Sequence, residues 1–105
     1  LANAKYMRDK LRAMGFNVGK GEGTAIVPIY TGRRGVDDMA NNMATIGICI
    51  ALLKRGVFVN PFLTPGVPPR GQLLRTSYMA THKQDHLDLA LRAFEEVGKE
   101  FGLIS

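Results

Sequence analysis

Residues 56–82 read GVFVNPFLTPGVPPRGQLLRTSYMATH, and the fold turns on how they are divided. Gly56 precedes a short β-branched run, Val57–Val59. A loop with four prolines, Asn60–Gly71, comes next. Leu73–Met79 then alternates as a strand, bounded by the start of a helix. On that strand Leu73, Arg75, Ser77 and Met79 share one side, and Leu74, Thr76 and Tyr78 share the other. Arg75 is expected to be half-buried among apolar neighbours, where a charge is expensive unless something pairs with it. A guanidinium fixed at the end of a Pro/Gly loop suits a carboxylate or phosphate, which it grips through two parallel hydrogen bonds. A core carboxylate partner or a place at a sheet edge accounts for Arg75 equally well on spacing alone. The stiffened loop ahead of it favours a binding surface.

On the N-terminal side, Asp37–Arg55 is expected to be a helix with Met39, Met43, Ile46, Ile50 and Leu53 on one face. Ile48 and Leu52 add apolar surface on another side, which predicts deep burial. Thr31–Gly35 is a basic turn, and Thr24–Tyr30 is a β-branched strand whose Pro28 marks an edge or an irregularity. Gly19–Gly23 is a glycine-rich turn. Ala4–Met14 places Met7, Leu11 and Met14 at helical spacing, with Lys5, Arg8, Asp9 and Arg12 on the rest, and Gly15 ends the helix.

On the C-terminal side, Thr81 and Gln84 have the spacing of a capping box. Leu87, Leu91, Phe94, Val97 and Phe101 form the core stripe of the helix that follows, and Asp85, Asp88, Arg92, Glu96 and Lys99 its wet face. The order α-β-α-β-β-α predicts an α/β fold: a small antiparallel or mixed sheet with helices packed on one face.

The chain has 105 residues, enough for one domain that buries about 65% of its unfolded surface. Its net charge is +5. The 14 Lys and Arg are scattered rather than bunched, which favours a basic soluble surface over a nucleic-acid site. The single cysteine, Cys49, excludes an intrachain disulfide and fits a reducing compartment, the cytoplasm. No run is long and apolar enough to span a bilayer. The opening residues already read as the middle of a helix, so the chain is expected to be a piece of a longer protein, with residues 1–15 as a linker helix.

Most other motifs favour structural readings. Gly19, Gly21 and Gly23 precede a strand, whereas a dinucleotide fingerprint follows one and opens a helix. His82 and His86 share a helical face, but Lys83 stands where a zinc protease has Glu, and no third ligand is evident, so no metal site is expected. Cys49 has no adjacent base and reads as a small core residue. Ser77 and the histidines make no clear Ser-His-Asp set. Arg33 and Arg34 form an exposed basic turn, for which solvation is favoured over a phosphate contact.

The succession Arg-Gly, Val57-Phe58-Val59, Val67-Pro68, Leu74-Arg75-Thr76-Ser77 and Ala80-Thr81-His82 resembles the C-terminal segment of the α-oxoamine synthases, fold-type-I enzymes that use pyridoxal phosphate (PLP). The resemblance covers residues 24 to 104, and within the family it looks nearest to serine palmitoyltransferase, with 2-amino-3-ketobutyrate CoA ligase and 8-amino-7-oxononanoate synthase as alternatives. It implies that residues 1–105 are the C-terminal small domain of an acyl-CoA-dependent condensing enzyme, a homodimer at full length. The substrates implied are an amino acid, serine favoured, and an acyl-CoA. Arg75 matches the arginine that binds the amino-acid carboxylate. The PLP lysine and its partners belong to a large domain of the same chain, so no catalytic or cofactor-binding residue is assigned here, and the fragment alone is expected to be inactive. Family members often have Val-Pro-x-Gly in the loop. Arg70 stands at the glycine position, where it could add a contact to a carboxylate or to CoA. The competing class is a free-standing basic α/β module that binds nucleic acid, but it lacks the aromatic pair expected on such a sheet.

Overall fold

Alternation decides which side of the sheet is inside. Val27, Ile29, Leu74 and Thr76 point into the core and are buried, while Ile26, Tyr30 and Arg75 point the other way and are exposed. In the computed structural model, whose described residues are 2–19, 26–77 and 83–104, the elements are α1 (Ala2–Met14), β1 (Asn17–Val18), β2 (Ile26–Tyr30), α2 (Asp38–Lys54), β3 (Asn60–Phe62), β4 (Leu73–Ser77) and α3 (Gln84–Glu100). The four strands form one antiparallel sheet in the order β1-β2-β4-β3. Helices α1 and α2 lie on its inner face, and α3 packs against both. The predicted α/β fold with helices on one face is what the structure has, with the two-residue β1 added to the expected order.

The core joins all three helices to the sheet. Met7 and Leu11 of α1, Ile48 and Leu52 of α2, and Leu87, Leu91, Phe94 and Val97 of α3 meet Val27, Ile29 and Leu74. Each such side chain contributes about 1.5–3 kcal/mol when fully buried. Phe16 meets Phe94 edge to face at 6.2 Å. Tyr6 of α1 donates to Asp88 Oδ1 of α3 at 2.7 Å, and this bond, with desolvation and the Asp88 charge, holds the phenol above its ordinary pKa. Arg8, expected on the wet face of α1, is instead buried with 2% exposure.

Two boundaries differ from expectation. The strand before the proline loop is Asn60–Phe62, not Val57–Val59. Val57 instead closes α2, its N–H bonding Leu52 O at 2.9 Å, and Val57 and Val59 pack on the core. Pairing with β4 begins only at Asn60, opposite Arg75. Pro61 is tolerated because β3 is an edge strand. Helix α3 begins at Gln84 with Lys83 as its N-cap, two residues after the expected cap, Thr81, which lies outside the described residues. The Gln84 side chain reaches forward to Asp88 at 3.1 Å rather than back to a cap.

Pro28 marks an irregularity inside the sheet. Its carbonyl accepts from Gly19 N–H at 2.9 Å, so its missing N–H also faces the β1 side, past the last β1–β2 pair, Val18↔Ile29.

Helix α2 is less buried than expected, with only one of its two apolar sides in the core. Of its two apolar sides, the longer stripe faces out: Met39 is 73% exposed and Met43 62%, and Ile50 and Leu53 are also exposed. The buried face carries Asn41, Thr45, Ile48 and Leu52. Hydrogen bonds explain the choice. Asn41 Nδ2 donates to Arg33 O (3.2 Å) and Val36 O (3.3 Å), and its Oδ1 accepts from Arg33 N (3.0 Å). Thr45 and Thr31 share a hydroxyl bond at 2.6 Å. Asn41 thus satisfies part-buried backbone groups of the turn after β2, and Thr45 anchors Thr31 at its start.

Candidate functional site

The outer face of the sheet is the first component. Direct cross-strand partners share a face. Tyr30, Leu73 and Phe62 therefore form one row across β2, β4 and β3. The next row is Pro28, Arg75 and Asn60. Tyr30 and Phe62 are 36% and 38% exposed, so this face is open, apolar along one row and cationic at the centre of the next. Arg75 is thus exposed, not half-buried; alternation placed it on the correct side, but among the described residues no element covers that side. Among the described residues no carboxylate pairs with it, which leaves no sign of the alternative, a core carboxylate partner.

The second component is the proline loop that leads into β4. Asn42 Oδ1 accepts from Thr64 N (3.2 Å), and Asn42 Nδ2 donates to Thr64 O (3.2 Å) and Thr64 Oγ1 (2.9 Å). Gln72, fully buried at the start of β4, donates through Nε2 to Asn42 Oδ1 (3.1 Å) and Asp38 Oδ1 (3.5 Å). Its backbone carbonyl accepts from Thr31 N (2.9 Å) and Gly32 N (3.3 Å). Gly32 has to be glycine for this approach: a Cβ there would stand 2.4 Å from both Arg70 O and Gln72 Oε1. The polar face of α2 thus fixes the base from which Arg70 and Arg75 project. Asp38, Asn42 and Gln72 were not singled out in the sequence; the available signal was polar residues within an otherwise apolar helix.

Arg70 occupies the third position of the turn 68–71, closed by Gly71 N to Pro68 O at 2.8 Å. Its φ is +64. Such a turn position prefers glycine, and a side chain in left-handed backbone costs about 1–2 kcal/mol. Arg70 N–H donates weakly to Asp38 Oδ1 at 3.4 Å. Beside it, Asp38 and residues 64–69 line an open concavity of about 500 Å³. The peptide bond Thr64–Pro65 is cis.

The other candidates disperse. Arg33 is exposed, and its Nη2 donates to Phe101 O at 2.5 Å, which satisfies a carbonyl at the end of α3. Arg34 is exposed. Cys49 is partly buried against the core, and its thiol donates to Val59 O at 3.6 Å. His86 is exposed, and His82 lies outside the described residues, as does most of the turn 19–23. The Ser77 side chain is likewise not described. Among the described residues no three His, Cys, Asp or Glu side chains could hold a metal. No helix there is long and apolar enough to cross a membrane.

A pyridoxal phosphate site needs an amine for the aldehyde and donors for the phosphate, converging in one cavity. No lysine lines the concavity beside Arg70 or the smaller one near Gly15 and Gly102, so these two sites do not fit that cofactor.

Comparison with known proteins places the chain. Residues 1–94 match the family model described as aminotransferase class I and II. An 8-amino-7-oxononanoate synthase from Thermoanaerobacter pseudethanolicus is 36% identical over 102 residues, covering 97% of this chain and 24% of the relative. A serine palmitoyltransferase from Bacteriovorax stolpii is 33% identical over 102 residues, covering 97% of this chain and 22% of the relative. The solved serine palmitoyltransferase of Sphingomonas wittichii superposes with a TM-score of 0.84 at 25% identity, covering 99% of this chain and 24% of that one. A serine palmitoyltransferase from S. paucimobilis, with a bound PLP–myriocin aldimine, gives a TM-score of 0.81 at 29% identity over 98% of this chain and 24% of that one. The chain thus spans about a quarter of the length of these relatives.

Proposed function

The chain belongs to the aminotransferase class I and II family, and we propose that it is the C-terminal small domain of a PLP-dependent α-oxoamine synthase. The full-length enzyme joins an amino acid to an acyl-CoA, with release of carbon dioxide and CoA. Relatives of two kinds within that group, 8-amino-7-oxononanoate synthase and serine palmitoyltransferase, support this reading. It sets aside the nucleic-acid-binding alternative.

The observation that carries the proposal is Arg75. It stands at the centre of an open sheet face, flanked by Pro28 and Asn60 and without a carboxylate partner among the described residues. In this role it binds the substrate carboxylate through paired hydrogen bonds and fixes how the amino acid lies against the cofactor. The apolar row Tyr30, Leu73, Phe62 lowers the local dielectric once the rest of the enzyme covers it, which strengthens the ion pair. In this reading PLP is held by the large domain of the full-length enzyme, where it would supply the electron sink for the carbon chemistry. A homodimeric full-length enzyme in the cytoplasm belongs to the same proposal, the compartment resting on the unpaired Cys49.

Serine with a long-chain acyl-CoA is the favoured substrate pair, from the match of segments around Val57 and Arg75 to serine palmitoyltransferase and from the structural likeness to that enzyme. The second reading is the chemistry of 8-amino-7-oxononanoate synthase, favoured by the 36% identity to one such relative. Competition among serine, glycine and alanine, each with palmitoyl-CoA or a short-chain acyl-CoA and read by CoA release, decides. Fastest turnover of serine with palmitoyl-CoA is expected. Preference for another pair rejects the serine assignment, and no CoA release with any pair rejects the reaction class.

A further inference from the structure

The arginine at position 70 pays a conformational penalty that its surroundings do not repay. The turn 68–71 is closed by Gly71 N and Pro68 O, and Asp38 accepts the backbone N–H of residue 70. Any residue could make those bonds, and glycine would make them without strain at φ +64. The guanidinium is exposed, and no acceptor or carboxylate among the described residues holds it. Strain of this kind, without a local contact to offset it, points to a task outside the fold.

Its surroundings indicate the class of ligand. The base of the loop is fixed by Asn42 on Thr64 and by the buried Gln72, so Arg70 projects from a defined position. The adjoining concavity of about 500 Å³ is lined by Asp38, Thr64, Pro65, Gly66, Val67, Pro68 and Pro69. A cation at the end of an apolar wall suits a molecule with an oxyanion attached to an uncharged chain. The geometry points to Arg70 as a binding residue for an oxyanion of the acyl donor, the wall of residues 65–69 taking the adjoining chain. This rests on the acyl-CoA reading above and assigns the second substrate its own residue, separate from Arg75.

The test uses the full-length enzyme with Arg70→Gly, Arg70→Asn and Arg70→Lys. Both glycine and asparagine accept left-handed backbone, so neither variant is expected to lower the thermal midpoint. Calorimetry reads the binding of CoA alone. Steady-state kinetics compares palmitoyl-CoA, a dicarboxylic acyl-CoA and a palmitoyl-pantetheine thioester that lacks the nucleotide phosphates. Loss of one charge-assisted contact is expected to weaken the acyl donor by about tenfold or more in the Gly and Asn variants, with the KM for the amino acid unchanged and Lys retaining most of the affinity. Weakening of CoA and palmitoyl-CoA but not of the pantetheine thioester identifies the phosphates. Weakening confined to the dicarboxylic donor identifies a distal carboxylate. Unchanged affinity for CoA and for every donor in Arg70→Gly, in an enzyme that releases CoA normally, overturns this inference alone. A wild-type enzyme that releases no CoA overturns the reading beneath it.

Discussion

Helices α2 and α3 have the same length, 17 residues, and opposite logic. In α3 the apolar stripe is the buried stripe: Leu87, Leu91, Phe94 and Val97 face the core, and charged residues face water. In α2 the more regular apolar stripe faces outward, and the inner face mixes Ile48 and Leu52 with Asn41 and Thr45. Periodicity reads a helix correctly when its only task is to fill a core. It fails when the helix must also satisfy the backbone of neighbouring loops, because a buried unpaired N–H or C=O costs as much as a methyl group or two gains. The misread helix is the one that positions the candidate site.

That contrast can be broken by mutation in this chain, followed by urea denaturation. Phe94→Ala in α3 should destabilise by about 3–5 kcal/mol, from lost transfer energy and a cavity. Met43→Ala in α2 removes a comparably large apolar side chain from the predicted stripe and should stay within about 0.5 kcal/mol. Equal losses at the two sites would show that the outer face of α2 is buried after all. Asn41→Leu should destabilise by about 1–3 kcal/mol despite adding apolar surface, since it strands Arg33 N–H and the carbonyls of Arg33 and Val36. A stabilised variant would mean that packing, not hydrogen bonding, orients α2.

The smallest effect concerns the α1–α3 contact. The Tyr6 phenol is raised above 10.0, chiefly by its bond to Asp88. A tyrosine whose folded pKa exceeds its unfolded value contributes stability that is present below the unfolded pKa and lost as pH rises through the folded one. The thermal midpoint of Tyr6→Phe should therefore lie slightly below wild type at neutral pH, and the gap should close above pH 10.0. A gap independent of pH would assign the effect to packing.

Much of the fold was legible because its signals are local. Gly15 and Gly56 end helices where expected, both with positive φ. Alternation in residues 73–77 gave the right faces. The misreadings are all tertiary. The two-residue β1 has no pattern long enough to read, and Val57–Val59 has strand composition but is spent on closing α2 and reaching the core. Arg75 was legible as a candidate binding residue by type and place. Its exposure was not, because nothing in a strand's own sequence says whether its second face will be covered. Arg70 was legible as an arginine in a glycine position, whereas its left-handed turn required the structure.

The central claim is that Arg75 is the carboxylate clamp of an amino-acid substrate, and titration of the full-length enzyme with the amino acid tests it most directly. With Arg75→Ala, binding should weaken by about 1.5–3 kcal/mol, roughly 10- to 150-fold, while the visible absorption of bound PLP is retained and Arg75→Lys recovers only part of the loss. Wild-type affinity for the amino acid in Arg75→Ala, with PLP bound, would contradict the account.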